Sequence, residues 1–513
     1  MADRRYYVTS PIYYVNDSPH IGHAYTTLAC DVLARFMRLD GRDVMFLTGT
    51  DEHGQKVEKS AALAGLAPKE FTDRVSQNFR DLAVAMNFSN DDFIRTTEPR
   101  HIRSCQAIWK RLVERDQIYL GKYAGWYAVR DEAYYAEDEL TTTPAGKKLA
   151  PSGAEVEWVE EPSYFFRLSA WQDRLLKFYD EHPDFIAPDV RRNEVTSFVR
   201  SGLRDLSVSR TSFTWGVPVP GDPAHIIYVW LDALINYITA TGFPDTDSPT
   251  YKKFWPADLH MVGKDILRFH TVYWPAFLMA ADLPTPRRVF AHGWWTNEGQ
   301  KISKSLGNVI DPLALVERYG LDQVRYFLLR EIPFGNDGDF SHRAMVTRIN
   351  ADLANGLGNL AQRSLSMINK NCGAAVPKPG PFSDADNALL GAAEALYQRL
   401  SAEIGRQAFH MGLESLWQVV AMGDRYVDEQ APWALNKSDP PRMATVLYVV
   451  AELVRRLTIL AQPFMPESCG RLLDQLAVPA DKRQFADLGQ TLVPGTALPK
   501  PVGVFPRFVD KAS

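Results

Sequence analysis

The sequence has few cysteines for its length. Its 513 residues include only Cys30, Cys105, Cys372 and Cys469, and no two of them form a C-x-x-C pair. The sequence therefore predicts neither a disulfide framework nor a zinc knuckle. It favours a reducing, cytosolic compartment.

Long apolar runs and an excess of charge of one sign are also absent. No stretch approaches the ~20 apolar residues that span a membrane. The amino terminus leads directly into a predicted strand and lacks the apolar segment of a secretory signal. The formal net charge is −5, which argues weakly against bulk nucleic-acid binding but permits an RNA partner recognised through a few local contacts. We expect a cytoplasmic protein without membrane attachment.

Residues 5–53 predict one βαβ unit. The segment 6–9 is expected to form a short strand, and 44–48 a second strand. Ser18 is expected to cap the intervening helix, with Pro19 at its first position and Gly41 at its end. A helix of this length between two strands implies a parallel sheet and a right-handed crossover.

The same pattern returns far downstream. Strands are predicted at 259–262 and 289–292, with a turn at 263–265 and a helix from Ile266. Short alternating runs rich in tyrosine lie between the two halves, and long amphipathic helices follow residue 339. We expect an α/β protein, with a Rossmann-type parallel-sheet domain split by a connective insertion and followed by an α-helical bundle. The predicted divisions are 1–115 (first half of the sheet domain), 116–225 (insertion), 226–292 (second half), 293–345 (loop and stem-contact region) and 346–513 (helical domain).

Two histidines stand three residues apart at the start of the first predicted helix. His20 and His23 should point to one side, and Gly22 leaves the backbone accessible. A helix amino terminus attracts anions, so this segment could hold a triphosphate and stabilise charge growing on its α-phosphate. The alternative is a pair of capping or surface histidines, since an H-x-G-H pattern alone is weak.

A second candidate segment is the loop Lys301-Ile302-Ser303-Lys304-Ser305, which follows the last predicted parallel strand. Two lysines and two hydroxyls between Gly299 and Gly307 suit a departing pyrophosphate. The alternative is a solvated charged loop. The two motifs in this order, at two ends of one split sheet, are far more specific than either alone.

The two motifs together resemble those of class I aminoacyl-tRNA synthetases. Residues 20–23 match the "HIGH" signature and 301–305 the "KMSKS" signature, with Ile302 in place of the usual methionine. The chain is similar to methionyl-tRNA synthetases over nearly its full length; the matching stretches are 11–16, 50–54, 228–233, 262–266 and 428–433. The resemblance implies that Mg²⁺-ATP activates methionine to methionyl-adenylate with release of pyrophosphate. Methionine is then transferred to tRNA(Met), including the initiator tRNA.

The resemblance also implies roles for individual residues. The residues expected to be catalytic are His20, His23, Lys301 and Lys304. Those expected to bind methionine are Ile12, Tyr14, Asp51 (on the amino group), Trp230, Ala233, Tyr237, Ile266 and His270. Those expected to bind ATP are His20, Gly22, His23, Gly263, Asp265 (on the ribose), Ile266, His292, Gly293 and Lys304.

Residue spacing supports the methionine pocket. Trp230, Ala233 and Tyr237 are expected to share one helix face, and Ile266, His270 and Trp274 another. Aromatic walls suit a flexible, polarisable thioether. The alternative is that these aromatics, and a hydrogen-bonded His270 among them, belong to the ordinary core.

A polar stripe marks the helical domain. Asn355, Asn359 and Arg363 repeat at intervals of four, and Trp433 follows a proline at a predicted helix start. The resemblance implies that these four residues recognise the CAU anticodon, and amides, a guanidinium and an indole suit exposed bases. The alternative is a solvated helix face and a core tryptophan.

The chain departs from many members of the family in the insertion. Ala128 and Asp131 stand where a zinc-binding cysteine pair would be, so the chain resembles the zinc-free branch and no zinc is predicted. Some members end in an added dimerising module; this sequence stops at Ser513 without one, so we expect a monomer.

Three rival assignments remain open at this stage. Synthetases for leucine, isoleucine or valine normally carry a longer editing insertion, and those for cysteine use zinc. A small nucleotidyltransferase with an H-x-G-H motif would not need the helical tail. A non-catalytic tRNA-binding relative should have lost the signature histidines or lysines, which this chain keeps.

Overall fold

The structure, a computed structural model, describes residues 4–15, 18–131, 133–302 and 307–510. Its strands are β1 Arg5–Tyr14, β2 Asp43–Asp51, β3 Asp92–Arg95, β4 Ile118–Ala128, β5 Ala133–Tyr135, β6 Thr141–Thr142, β7 Lys148–Leu149, β8 Glu157–Phe166, β9 Ile186–Ala187, β10 Leu206–Ser207, β11 Ser209–Arg210, β12 Pro218–Val219, β13 Asp222–Ile227, β14 Leu259–Gly263, β15 Val289–His292, β16 Trp295–Asn297, β17 Gln300–Lys301 and β18 Gly338–Phe340.

Helices connect and follow these strands. The α-helices are α1 Ile21–Leu39, α2 Gln55–Leu63, α3 Pro68–Ala85, α4 Pro99–Glu114, α5 Gln172–Glu181, α6 Asp189–Arg200, α7 Val229–Leu234, α8 Asn236–Thr239, α9 Pro249–Phe254, α10 Trp274–Ala280, α11 Pro312–Tyr319, α12 Leu321–Arg330, α13 His342–Thr347, α14 Asn359–Asn371, α15 Asp384–Gly405, α16 Phe409–Gln430, α17 Pro432–Ser438, α18 Pro440–Ala461 and α19 Pro466–Gln475. Short 3₁₀ turns lie at Lys264–Ile266 and elsewhere, and π-helical segments at Phe269–Tyr273 and Arg348–Gly358.

A parallel sheet of order β3-β2-β1-β14-β15-β9 forms the centre of the fold. Strand β1 pairs with β2 on one side and β14 on the other, so that Val8 lies between Phe46 and Leu259. The two halves separated in the sequence therefore build one sheet, and β9, from within the segment assigned to the insertion, adds its edge strand. The predicted fold class, a parallel-sheet domain followed by a helical domain, is confirmed.

The start of the first unit differs from the sequence expectation. Strand β1 extends to Tyr14 rather than ending near residue 9, with an irregular register between Thr9 and Ile12. The helix begins at Ile21, so the prediction of Ser18 as cap and Pro19 as first helical residue is wrong. His20 caps the helix instead, because its ring nitrogen accepts a hydrogen bond from the backbone amide of Gly22.

The insertion is mainly antiparallel. Strands β4 and β8 pair along ten residues and form a sheet of order β10-β8-β4-β5. Ala128, at the end of β4, is fully buried against Ala150 and Ala154. Asp131 accepts hydrogen bonds from the hydroxyls of Tyr135 and Ser152. Packing and hydrogen bonds thus hold this part of the insertion.

The two faces of the central sheet belong to two apolar clusters. Along β1 the side chains alternate, so that Tyr6 and Val8 join one cluster and Tyr7 the other. The first cluster also contains α1, α12 and the buried faces of α15, α16 and α18. The helical domain therefore packs on the α1 face of the sheet. No helix among the described residues is long and apolar enough to cross a membrane.

A buried ion pair joins α1 to α12. Arg325 on α12 contacts Asp31 on α1 at 2.6 Å, and both side chains are fully buried. The same guanidinium donates to the backbone oxygens of Met86, Pro463 and Phe464. Burial would raise the pKa of Asp31, but the neighbouring arginines hold it below its usual value. One side chain thus fixes three segments against each other.

Replacing Arg325 by alanine should destabilise the protein severely. Removing one partner of a buried ion pair costs about 3–5 kcal/mol, and three backbone acceptors also lose their donor. The matched control is Lys177→Ala, because Lys177 and Glu181 form an exposed pair at 3.6 Å, worth about 0–1 kcal/mol. Urea unfolding measures the free energy of unfolding of both variants. Equal midpoints for the two variants would contradict a structural role for Arg325.

Candidate active site

A cavity of about 500 Å³ opens beyond the carboxyl ends of β1, β2 and β14. In parallel sheets ligands bind at this edge, where the order of the strands reverses. The cavity is lined by all the residues predicted to bind methionine, namely Ile12, Tyr14, Asp51, Trp230, Ala233, Tyr237, Ile266 and His270. It is also lined by most of those predicted to bind ATP, namely His20, Gly22, His23, Gly263, Asp265 and His292. Residues distant in sequence thus line one cavity.

His20 and His23 lie side by side at the amino terminus of α1. Their ring centroids are 3.9 Å apart. The amide of Gly22 donates to His20 Nδ1 at 3.1 Å, and the amide of His20 donates to His23 Nδ1 at 3.0 Å. Both Nδ1 atoms are therefore acceptors, so each neutral ring carries its proton on Nε2. The rings cap the helix as the alternative proposed, and they also line the cavity.

Burial sets the charge of these two rings. Burial lowers the pKa of His20, and it lowers the pKa of His23 still further with a smaller contribution from the neighbouring ring. Both imidazoles are thus neutral hydrogen-bond donors at pH 7. A β-carbon at Gly22 would lie 3.0 Å from the His20 ring, so glycine allows this ring to take its position.

Aromatic rings form the apolar end of the cavity. Trp230 stacks on Phe269 with centroids 3.6 Å apart and planes 8° apart. The prediction that Trp230, Ala233 and Tyr237 share one helix face is wrong. Helix α7 ends at Leu234, and Tyr237 lies on the separate helix α8. The two short helices nevertheless bring Trp230, Ala233 and Tyr237 to the same cavity wall.

His270 is buried and fully hydrogen-bonded, yet it lines the cavity. Its Nδ1 lies 2.9 Å from the carbonyl oxygen of Ile266 and its Nε2 lies 2.7 Å from the Tyr237 hydroxyl. Because a carbonyl only accepts, Nδ1 carries the proton and Nε2 accepts from the tyrosine. Burial lowers the pKa of His270 to about 4.

The helix expected from Ile266 is present, but it is irregular. A 3₁₀ turn ends at Ile266, a π-helical turn covers Phe269–Tyr273, and α10 starts at Trp274. The wider π turn changes the residue spacing, so Trp274 is fully buried behind the wall, where its indole N–H donates to His260. π-helical turns within helices often occur at functional sites.

The opposite end of the cavity is polar. The Trp294 indole donates to Asp265 Oδ1 at 3.2 Å, and His292 Nε2 lies 2.7 Å from the Thr26 hydroxyl on α1. A β-carbon at Gly263 would lie 2.5 Å from Asp265 Oδ1. Gly293 does not line the cavity; a β-carbon there would collide with the backbone of Asn336. A glycine at this position therefore allows the chain to pack closely against the backbone of Asn336.

The two signature lysines differ in what the structure describes. Lys301 is exposed on the short strand β17 and is not among the residues that line the cavity. Lys304 lies outside the described residues. The end of the loop is fixed near the histidines, since the amide of Ile21 donates to the carbonyl of Ile310 at 3.0 Å.

A second polar cluster lies in the helical domain. Arg363 contacts Asp428 at 3.1 Å and lies 5.9 Å from the ring of Trp433. Trp433 is 51% exposed, so the alternative of a core tryptophan is wrong. The Arg363 Nε and Nη2 atoms are buried, and no partner for them lies in the described parts of the chain.

The expected continuous polar stripe is interrupted. Asn359 starts α14 and lies one turn before Arg363, but Asn355 belongs to the preceding π-helical segment. Gly356 between them has non-helical angles, φ −86° and ψ −110°. Asn355 and Asn359 are both exposed.

Sequence reasoning missed several residues at the two sites. Phe269, Tyr13 and Trp294 line the cavity, together with Arg130 and Tyr135 at the tip of the insertion. Only long-range folding brings the insertion to the cavity, so no local pattern could reveal it. Asp424 was also missed; it is one helical turn before Asp428, and burial raises its pKa to about 6.

Comparison with known proteins supports these observations. Residues 6–365 match the family model "tRNA synthetases class I (M)", and residues 376–513 match "Anticodon binding domain of methionyl tRNA ligase". The sheet, the histidine pair and the downstream lysine motif thus define a class I aminoacyl-tRNA synthetase. The chain is 60% identical over 513 residues to the methionine–tRNA ligase of Mesorhizobium japonicum, covering 100% of this chain and 99% of that protein. It is 59% identical to the ligase of Brucella suis, with 99% of each covered.

Solved structures give the same result. The methionyl-tRNA synthetase of Mycobacterium tuberculosis, solved in complex with methionyl-adenylate, matches with a TM-score of 0.97 and 55% identity, covering 98% of this chain and 100% of that one. The chain belongs to the methionyl-tRNA synthetases. The predicted family and activity are confirmed: it activates methionine with ATP and transfers it to tRNA. This result excludes the rival assignments, namely a synthetase for another amino acid, a small nucleotidyltransferase and a non-catalytic tRNA-binding relative.

The buried His270 should make stability depend on pH. Its pKa falls from 6.5 in the unfolded chain to about 4 in the fold, so the folded state binds fewer protons between these values. Its contribution is complete above pH 6.5 and is lost as the pH falls towards 4, by about 3 kcal/mol at most. Urea unfolding of the wild type and of His270→Gln between pH 7.5 and 4.5 measures the difference. If the free energy of unfolding depends on pH in the same way for the two proteins, His270 is not a neutral, buried side chain.

Proposed function

We propose that the cavity beyond β1 and β14 is the site of methionyl-adenylate formation, with methionine at the aromatic end and ATP at the polar end. The observation that carries this assignment is the lining itself. The stacked Trp230 and Phe269, with His270 and Tyr237, adjoin the paired histidines and Asp265 around a single space. The complex of the similar M. tuberculosis enzyme with methionyl-adenylate supports the same assignment.

Each end of the cavity has the chemistry that its substrate needs. The buried carboxylate of Asp51 suits the ammonium group of methionine, since a buried opposite charge is strongly attractive. The polarisable thioether suits the aromatic wall. The exposed carboxylate of Asp265 suits the hydroxyls of the ATP ribose. These contacts would place the methionine carboxylate next to the α-phosphate of Mg²⁺-ATP.

The reaction then needs little covalent help from the protein. The methionine carboxylate attacks the α-phosphorus, and pyrophosphate leaves. His20 and His23 present neutral Nε2–H donors that stabilise charge growing on the phosphate, with the positive end of α1 behind them. Lys301 and Lys304 serve the leaving pyrophosphate. The terminal ribose hydroxyl of tRNA then attacks the adenylate carbonyl and AMP leaves.

The remaining chain supplies the tRNA contacts in this proposal. The domain divisions stay as predicted from the sequence, except that β9 belongs to the central sheet. Asn355, Asn359, Arg363 and Trp433 recognise the anticodon. The buried Nε and Nη2 donors of Arg363 support this role, because they have no hydrogen-bond partner among the described residues and could donate to a bound base. We also propose that the enzyme acts as a cytoplasmic monomer on elongator and initiator tRNA(Met), and without zinc.

Methionine should drive ATP–pyrophosphate exchange best among the twenty amino acids. An apolar pocket distinguishes one methylene by only about 1–3 kcal/mol, so homocysteine should be activated detectably. The assay is performed without tRNA, and Asp51→Asn should raise the KM for methionine while leaving the KM for ATP nearly unchanged. Exchange driven best by leucine or cysteine would exclude this pocket assignment.

Trp433→Ala should separate the two functions of the chain. If its indole stacks on an anticodon base, truncation removes about 1–3 kcal/mol of tRNA interaction, and aminoacylation efficiency falls by roughly ten- to one-hundred-fold. Exchange without tRNA and the melting temperature should not change, because Trp433 is exposed and outside the sheet domain.

The matched control is Phe382→Ala, another exposed aromatic of the helical domain, which should charge tRNA normally. Asn359→Ala and Arg363→Ala should show the same pattern as Trp433→Ala. A Trp433→Ala enzyme that charges tRNA at the wild-type rate would rule out the anticodon role.

A further inference from the structure

A fully buried carboxylate lies directly behind the methionine end of the cavity. Asp232 is on α7 between two lining residues, Trp230 and Ala233, but does not line the cavity itself. Its Oδ2 lies 2.6 Å from His53 Nδ1, and its Oδ1 lies 2.7 Å from His101 Nε2. Each carboxylate oxygen thus accepts from one imidazole.

These contacts connect three separate elements. His53 follows Asp51 by two residues at the end of β2, His101 lies on α4, and Asp232 lies on α7. Both Asp51 and the two α7 residues line the cavity. The Asp232 side chain therefore joins two walls of the cavity. One wall would hold the ammonium group of methionine, and the other would hold the thioether side chain of methionine.

The protonation of the network follows from its partners. His101 Nε2 lies 2.7 Å from Asp232 Oδ1, and because a carboxylate only accepts, Nε2 carries a proton and donates to it. The Thr239 hydroxyl, 3.4 Å from His101 Nδ1, donates its own proton to the carbonyl oxygen of Ile235. Burial would raise the pKa of Asp232, but the two histidines hold it well below its usual range. The carboxylate is therefore ionised, and its hydrogen bonds are charge-assisted and strong.

The spacing of the donor atoms fits hydrogen bonds rather than a metal ion. With Cys105, these side chains include the buried trio His101, Cys105 and Asp232 that could in principle hold a metal. Ligands around tetrahedral zinc, bound at about 2.0–2.3 Å, would lie roughly 3.3 Å or more from each other. Within the trio, the distance of 2.7 Å between His101 Nε2 and Asp232 Oδ1 is too short for that arrangement.

We propose that Asp232 is a positioning residue for methionine selection: held between His53 and His101, it fixes α7 relative to the Asp51 end of β2 and so sets the width of the methionine pocket. The proposal rests on the assignment of this cavity to methionine made above. Selection between amino acids that differ by one methylene depends on a wall that does not move. Asp232 touches no substrate and acts through Trp230, Ala233 and Asp51.

Asp232→Asn tests the proposal in tRNA-free ATP–pyrophosphate exchange. Asparagine keeps the shape but removes the charge and one acceptor. The KM for methionine should rise about ten-fold, and the preference for methionine over its S-ethyl analogue should fall about ten-fold. The KM for ATP should not change, and kcat should change little. A merely structural role would lower the active fraction, and hence kcat, with no change in KM or in preference.

The matched control is Asp386→Asn. Asp386 is also fully buried and is paired with Arg442, but it lies in the helical domain. This variant should keep the wild-type KM for methionine and the wild-type preference. A loss of preference in Asp386→Asn equal to that in Asp232→Asn would overturn the proposal, because general destabilisation would then explain both.

A pair of variants at His101 keeps the test decisive if Asp232→Asn does not fold. His101→Gln retains a donor where Nε2 lies, whereas His101→Leu removes it. The glutamine variant should keep most of the preference and the leucine variant should lose it. Equal preference in both, at the wild-type level, would overturn the proposal.

Trp230→Ala separates this proposal from the pocket assignment. If Trp230→Ala and Asp51→Asn leave the KM for methionine unchanged, the cavity is not the methionine site. If both raise it while folded Asp232→Asn does not, the pocket assignment stands and the positioning role of Asp232 is wrong.

Discussion

The pairing of β1 with β14 is the constraint on which the rest of the molecule depends. It joins Val8 to Leu259 across some 250 residues of intervening chain. Because all strands of this sheet are parallel, their carboxyl ends meet at one edge, and the segments that follow β1, β2 and β14 surround one cavity. The insertion lies between the paired strands in the sequence, so its tip can reach the rim of that cavity without interrupting the sheet.

Burial then determines the chemistry available at this edge. The cavity-lining histidines 20, 23, 270 and 292 all have lowered pKa values, with burial as the main cause. They are neutral groups with fixed donor and acceptor atoms, and therefore poor sources of charge. Positive potential at the phosphate must come from the start of α1 and from the loop lysines. Such a site suits a reaction that depends on placement and on stabilising charge.

Sequence patterns revealed the parts of this architecture that local residues determine. The strand segments at 44–48, 259–262 and 289–292 carry their own apolar pattern, and the motif residues are recognisable singly. The start of α1 was misplaced because the His20 ring, rather than the Ser18 hydroxyl, takes the capping role. The π turn at Phe269–Tyr273, the Trp230–Phe269 stack and the kink at Gly356 could not be foreseen, since each depends on packing against distant segments. The Asp232 network was invisible for the same reason: its two histidines come from 179 and 131 residues away.

Contiguity of the methionine and ATP regions is tested most directly by calorimetric titration with a non-hydrolysable methionyl-adenylate analogue that carries a sulfamoyl linkage. If one cavity holds both substrates, the analogue should bind one site per chain with a Kd at least about 100-fold below that of methionine, because the second group binds with the first already placed. Saturating methionine or ATP should each prevent its binding. An analogue that binds no more tightly than methionine, or that binds equally well to the ATP-saturated enzyme, would contradict a shared cavity.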